Sequence, residues 1–276
     1  MSPLPYYRLA HDPQQRYTLF CPRGPIRGLW VSVHGISRNC REHLRRFRPW
    51  AERLGLVLVA PLFDRQRCQD YQRLGRAGKG LRADHLLQAI VGEVAERCQL
   101  ADHRFHLFGY SGGGQFAHRF TMAHPEQVLS LAVGAAGWYT FPDPRLGYPR
   151  GLRPCRRLPD LDFEPRRFLR IPTLVTVGGR DDHPDPELNL KARIVSQQGG
   201  SRLERGRNWI AAMEEAARHQ GFNTPYRFEV IAGAGHDFGQ CMDLGMGAVV
   251  ADFIANQLPP PLPIPCHSRI ADTLCR

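Results

Sequence analysis

Two patterns of apolar and polar positions alternate along this chain. Short, nearly continuous apolar runs lie at 28–33 (GLWVSV), 56–60 (LVLVA), 105–108 (FHLF), 129–133 (LSLAV) and 173–177 (TLVTV). Runs of this kind, rich in β-branched and aromatic residues, predict strands buried on both faces, as a parallel sheet requires. Between them the apolar residues recur with helical spacing. Residues 41–54 set Leu44, Phe47 and Leu54 on one face, 84–98 set Leu87, Ile90, Val91 and Val94, and 202–219 form a long amphipathic helix. Residues 16–21 predict an early strand, 226–231 a last strand and 246–257 a last helix. Glycine and proline punctuate the series. Gly55 ends the first helix, and Pro49 inside it predicts a break or kink. Pro61 ends the strand at 56–60, and Pro125 follows a helix that runs to about His124.

Two stretches depart from the alternation. Residues 141–172 carry Pro142, Pro144, Pro149, Pro154, Pro159, Pro165 and Pro172, which deny them a long helix or a central strand. This segment is expected to be a short irregular insertion, a lid or pocket wall over the sheet. A Pro-rich tail at 259–276 is expected to be surface-bound or poorly ordered. The organisation predicted is one domain over 1–258, with 141–172 as its insertion, followed by the tail. Strands alternating with helices imply an α/β fold: a mostly parallel central sheet with helices on both faces.

Composition narrows the partners. The net charge is +11 over 276 residues, with a pI near 9.7. The arginines are scattered, as at Arg45, Arg73, Arg76, Arg166 and Arg170, and no basic-aromatic stripe organises them. A solvated Arg-rich surface is therefore expected, with no nucleic-acid partner, although anionic substrates would feel the field. No run approaches the ~20 apolar residues of a membrane span. The N-terminal stretch lacks an apolar h-region, so no membrane partner and a cytoplasmic location are expected. The eight cysteines form no C-x-x-C pair and no zinc-spaced cluster, so reduced thiols, and no metal or cofactor, are expected.

In parallel sheets, functional groups gather past the C-terminal ends of strands. Three such ends carry chemistry here. The strand at 105–108 runs into Gly109-Tyr110-Ser111-Gly112-Gly113, a tight turn with a serine at its apex, where side chains two positions before and after the serine would collide with the backbone. The strand at 173–177 runs into Gly178-Gly179-Arg180-Asp181-Asp182. The last strand is followed by Gly233-Ala234-Gly235-His236. A nucleophile, a carboxylate and a histidine thus appear in that order.

These motifs, with His34-Gly35 at the end of the strand at 28–33, resemble the α/β-hydrolase family over nearly the whole chain. Within it the pattern is similar to small bacterial esterases and to polyhydroxyalkanoate depolymerase-like or dienelactone hydrolase-like proteins. The resemblance implies a serine hydrolase with a small-molecule ester substrate. Ser111 would attack an acyl carbon, His236 would take its proton, and Asp181 would orient His236. The backbone amides of Gly112 and Ile36 would receive the oxyanion, with His34 supporting that loop. Asp182 is the rival for the acid; spacing from Gly178 favours Asp181. Trp138 and Tyr139 follow a strand at the substrate edge and are candidates for substrate binding, with core packing as the alternative. Cys40 lies near the oxyanion loop but has no base placed for it, His183 reads as a surface neighbour, and Asp237 is expected to cap the next segment.

The same three residues serve thioesterases, acyltransferases and peptidases, and the fold also hosts non-catalytic binding proteins. Filled triad positions argue against the last. Dehalogenase and epoxide hydrolase relatives use a carboxylate where this chain has Ser111. Substrate identity and oligomeric state are not encoded in these patterns.

Overall fold

A computed structural model describes residues 4–259; the tail expected at 259–276 lies outside the described residues except for Pro259. Eight strands form one sheet: β1 (Tyr7–Leu9), β2 (Asp12–Phe20), β3 (Gly28–Val33), β4 (Leu56–Leu62), β5 (Phe105–Tyr110), β6 (Val128–Gly134), β7 (Thr173–Gly178) and β8 (Tyr226–Ile231). Their order is β1-β2-β4-β3-β5-β6-β7-β8. β1 and β2 pair antiparallel with their neighbours, and the six strands from β4 to β8 run parallel. β3, β4, β5 and β7 are buried at almost every residue. Successive side chains point to opposite faces, so both faces of the sheet must be covered.

The covering helices are α1 (Cys40–Leu54), α2 (Ala83–Arg97), α3 (Gly112–Ala123), α4 (Pro165–Phe168), α5 (Ala192–Gln198), α6 (Arg202–His219), α7 (Phe238–Asp243) and α8 (Met246–Ala255). α1 buries His43, Leu44, Phe47, Ala51 and Leu54, a stripe at i, i+1, i+4, i+8 and i+11. Phe47 lies 4.7 Å from the Trp30 ring and 4.9 Å from that of Phe108. Pro49 does not break this helix. It sits on the exposed side, and packing of the opposite stripe offsets the ~3 kcal/mol that an internal proline costs. Gly55 ends the helix in the left-handed conformation, at φ 69°.

Pro61 does not end its strand either. β4 continues to Leu62 because Pro61 stands opposite Tyr17 in the antiparallel ladder with β2. On its other side, the pairing with β3 stops at Val59, so the missing amide breaks no bond there. The early strand begins at Asp12 rather than at residue 16, and the short β1 was not foreseen.

The segment 141–172 is mostly turns and includes α4. It packs down through Tyr148, Leu152, Leu158, Leu161, Phe163 and Phe168, all buried. No residue of it lines the pocket that holds Ser111; Tyr148 to Arg150 and Arg153 line a neighbouring cavity instead. The segment packs as a flank of the sheet and walls the cavity beside the Ser111 pocket. Its apolar residues have core to bury against. No helix among the described residues is long and apolar enough to cross a membrane.

Candidate active site

The site forms where β5, β7 and β8 end. Ser111 occupies the turn between β5 and α3 with φ 53° and ψ −114°, a strained backbone for a non-glycine residue. Its amide donates to the Gly134 carbonyl at 2.7 Å, which anchors the apex to the neighbouring strand. The flanking glycines are required by close approach. A Cβ on Gly109 would fall 2.2 Å from the Gly113 carbonyl oxygen, and one on Gly113 would fall 2.1 Å from that of Val33.

His236 reaches Ser111 from the loop after β8. Its Nε2 is 3.0 Å from Ser111 Oγ, and its Nδ1 is 2.8 Å from Asp181 Oδ2. An ionised carboxylate only accepts, so Nδ1 carries the proton and Nε2 accepts from the hydroxyl. Tyr110 stacks on the imidazole at 5.5 Å and 23°. The two loops are clamped together: the Arg180 amide donates to the Ala234 carbonyl at 2.8 Å, and a Cβ on Gly178 would meet that same oxygen at 2.5 Å.

Asp181 is buried, and its second oxygen is also occupied. Arg202 Nη1 donates to Oδ1 at 3.0 Å and holds Asp185 as well. Arg202 opens α6, whose start is fixed by a capping box between Ser201 and Glu204. One turn on, Arg205 is buried and donates to the carbonyls of Gly137, at 2.6 Å, and Asn189, at 3.0 Å. Burial pushes its guanidinium down to about 10. α6 therefore braces both the acid and the two walls of the pocket. Asp182 faces solvent and pairs with His183. Asp237 caps α7 by accepting from the Gln240 amide at 2.7 Å.

The segment carrying Ile36 lies against the apex. A Cβ on Gly35 would stand 3.4 Å from Ser111 Cβ, and one on Gly112 would stand 3.2 Å from Ile36 Cγ2. His34 beneath is fully buried. Its Nε2 accepts from the Phe63 amide at 3.0 Å, and Nδ1–H donates to the Gly35 carbonyl at 2.8 Å. Burial pushes this imidazole down to about 4, so it stays neutral and holds the loop as a fixed two-ended strut. Tyr71 adds a bond from its hydroxyl to the His34 carbonyl at 3.2 Å.

Trp138 borders the Ser111 pocket, with the guanidiniums of Arg119 and Arg73 over its ring at 4.5 and 5.3 Å. Tyr139 does not border it. It is fully buried, stacks on Trp209 at 4.8 Å and 20°, and belongs to the core. With the Tyr139 ring held in that stack, Trp138 is the one of the pair that faces the pocket. Cys40 is buried, 3.8 Å from the Tyr6 hydroxyl, and burial pushes its thiol up, away from a reactive thiolate.

The pocket encloses about 330 Å³, and Gln72, Gln115, Leu188, Asn189 and Lys191 complete its walls. These were missed by sequence reasoning. Gln115 had a signal, since it follows Ser111 by one helical turn. Arg202, Asn189 and Lys191 had none, because their proximity depends on how the segment after Asp181 folds back.

No family model matches the chain. A fluoroacetate dehalogenase from Burkholderia sp. is 31% identical over 124 residues, which is 42% of this chain and 36% of that protein. The match therefore spans about a third of the curated relative's length. Two solved structures superpose over most of the chain. Poly(aspartic acid) hydrolase-1 from Sphingomonas sp. KT-1 has a TM-score of 0.72 at 20% identity, covering 86% of this chain and 93% of its own. The poly(3-hydroxybutyrate) depolymerase from Bordetella parapertussis has a TM-score of 0.71 at 25% identity, covering 89% and 85%. Both are α/β-hydrolases. This chain has the α/β-hydrolase fold. In an α/β-hydrolase the turn after β5, the loop after β7 and the loop after β8 share one edge of the sheet, which is where Ser111, Asp181 and His236 stand.

Proposed function

We propose that this α/β-hydrolase is a serine hydrolase that cleaves a carboxylic ester through an acyl-enzyme. The observation that carries the reading is the chain of contacts from Asp181 through His236 to Ser111. A serine hydroxyl is a poor nucleophile unless a base stands beside it. His236 Nε2 is in place to take the proton as Oγ attacks the acyl carbon, and then to deliver it to the departing alcohol. Asp181 fixes the tautomer and stabilises the imidazolium. The Gly112 amide, at the N-terminus of α3, and the Ile36 amide take the oxyanion. Water, activated by the same histidine, then releases the acid and regenerates Ser111.

The hydroxyl at the apex weighs against halide displacement, the activity in the name of the Burkholderia protein, since that chemistry uses a carboxylate there. A small open pocket favours small or extended esters over a lipid buried in a tunnel. The test is labelling with a fluorophosphonate, followed by assay on p-nitrophenyl acetate. The adduct should map to Ser111, and Ser111→Ala should fold normally, take no label and lose turnover by at least about 10³-fold. Turnover retained in pure Ser111→Ala protein would refute the assignment.

A further inference from the structure

A second cavity, of about 360 Å³, adjoins the Ser111 pocket; Arg73, Trp138, Asn189 and Lys191 line both. Its other cationic lining residues are Arg76, Arg150, Arg153 and Arg193, and no carboxylate lines it. Behind this wall the buried Asp70 pairs with Arg73 at 2.7 Å and Arg76 at 2.6 Å, offsetting one of those charges. Arg150, Arg153, Lys191 and Arg193 have no carboxylate partner among the described residues. Some exposed arginines elsewhere are paired: Arg104 with Asp102, Arg145 with Asp143, Arg167 with Glu126 and Arg227 with Glu229. Four cations without such a partner thus share one concavity. Tyr148 lines it too, and its buried hydroxyl has no hydrogen-bond partner. On the Ser111 side the lining carboxylate is Glu187.

Like charges crowded into a concavity repel one another, and low-dielectric walls focus their potential into the space between them. An anion there relieves that repulsion, and the guanidinium fork matches a carboxylate in particular. We propose that this cavity is a subsite for carboxylates carried on the substrate, so that the preferred substrate is an ester whose chain runs past Trp138 and bears negative charge. The inference rests on the serine-ester reading and names its substrate class.

Two measurements test it. In the first, kcat/KM is compared for p-nitrophenyl pentanoate, hexanoate and octanoate and for the p-nitrophenyl half-esters of glutarate, adipate and suberate. The best half-ester should exceed its neutral counterpart at least about tenfold, and the preference should shrink between about 0.02 and 0.3 M salt. Replacing Arg150, Arg153 and Arg193 together by Gln should bring that ratio close to one; Arg153→Gln alone should lower it if the triple variant folds poorly. A ratio near one in active wild-type enzyme, or one untouched by these substitutions, overturns the proposal. The second measurement needs no turnover. Calorimetry on Ser111→Ala protein should show tri-aspartate binding at least about tenfold more tightly than tri-asparagine, with the difference lost when the three arginines are also replaced. Equal binding of the two peptides overturns the anion subsite. Failure of fluorophosphonate labelling and of all ester turnover would instead strike the serine-ester reading, and calorimetry would still decide the subsite.

Discussion

Arg202 donates through Nη1 to Asp181 Oδ1 at 3.0 Å, on the same carboxylate whose Oδ2 lies 2.8 Å from His236 Nδ1. Both side chains of this ion pair are about 2% exposed. The acid that faces His236 is therefore held by a buried cation, and its orientation does not depend on the histidine.

Removing that cation leaves Asp181 buried with half of its bonds, and Asp185 without its partner. Arg202→Met should lower stability by about 3–5 kcal/mol, the usual consequence of breaking a buried pair from one side. Urea unfolding of the two proteins measures it. A loss below about 1 kcal/mol would mean that solvent reaches the carboxylate.

The two adjacent acids should separate cleanly by substitution. Asp181→Asn keeps the shape but reverses the hydrogen-bond sense at His236 Nδ1, so ester turnover should fall by about 10³–10⁴. Asp182→Asn changes an exposed carboxylate whose partner is His183, and activity should stay within about twofold. The reverse ranking would move the acid to Asp182.

Two glycine-to-alanine changes should have opposite signs. At Gly113 the new Cβ would meet the Val33 and His34 carbonyl oxygens at 2.1 and 2.5 Å, backbone at the end of β3 that cannot yield cheaply. Gly113→Ala should cost about 3 kcal/mol or more. At Gly92, inside α2, nothing lies within 4 Å, and Gly92→Ala should add about 0.5–1 kcal/mol by lowering backbone entropy in the unfolded chain. Thermal unfolding of both variants gives the comparison, and a stabilised Gly113→Ala would show that the elbow is looser than its contacts imply.

Acid should destabilise this protein at unusually mild pH. Burial pushes His34 and His106 down to about 4, and holds His43 and His118 well below the ordinary histidine value. The unfolded chain takes up these protons near ~6.5, whereas the folded chain does not until about 4. Stability is therefore full above ~6.5, falls as the pH drops through that interval, and levels off below the folded values. Each of His34 and His106 contributes on the order of 3 kcal/mol to the fall. Asp84 acts in a lower window. Burial raises its carboxyl, but the bonds from His124 and Arg82 outweigh that and hold it at about 2, so its contribution is lost only below ~4. Denaturant melts at pH 7, 5.5 and 4.5 test the histidine part, and unchanged midpoints would exclude it.

Local pattern was enough for the parallel strands and for α1, α2, α3, α6 and α8, because each signal lies within one element: an apolar run, a stripe, a terminating glycine or proline. It also located the turns after β5, β7 and β8, since each strand runs into a glycine-bearing stretch, and at Gly109 and Gly113 only glycine tolerates the backbone approach. It did not locate what those turns meet. Whether Pro49 breaks α1 and whether Pro61 ends β4 depends on neighbours far along the chain, the packed stripe of one and the Tyr17 pairing of the other. Which of Trp138 and Tyr139 faces the pocket is set by the stacking of Tyr139 on Trp209. That Arg202 should hold Asp181, and that Arg150, Arg153, Lys191 and Arg193 should share one cavity, follows only once the sheet has brought distant segments to one edge. Burial and charge pairing are relations between residues distant in sequence, and no short window of the chain contains both partners.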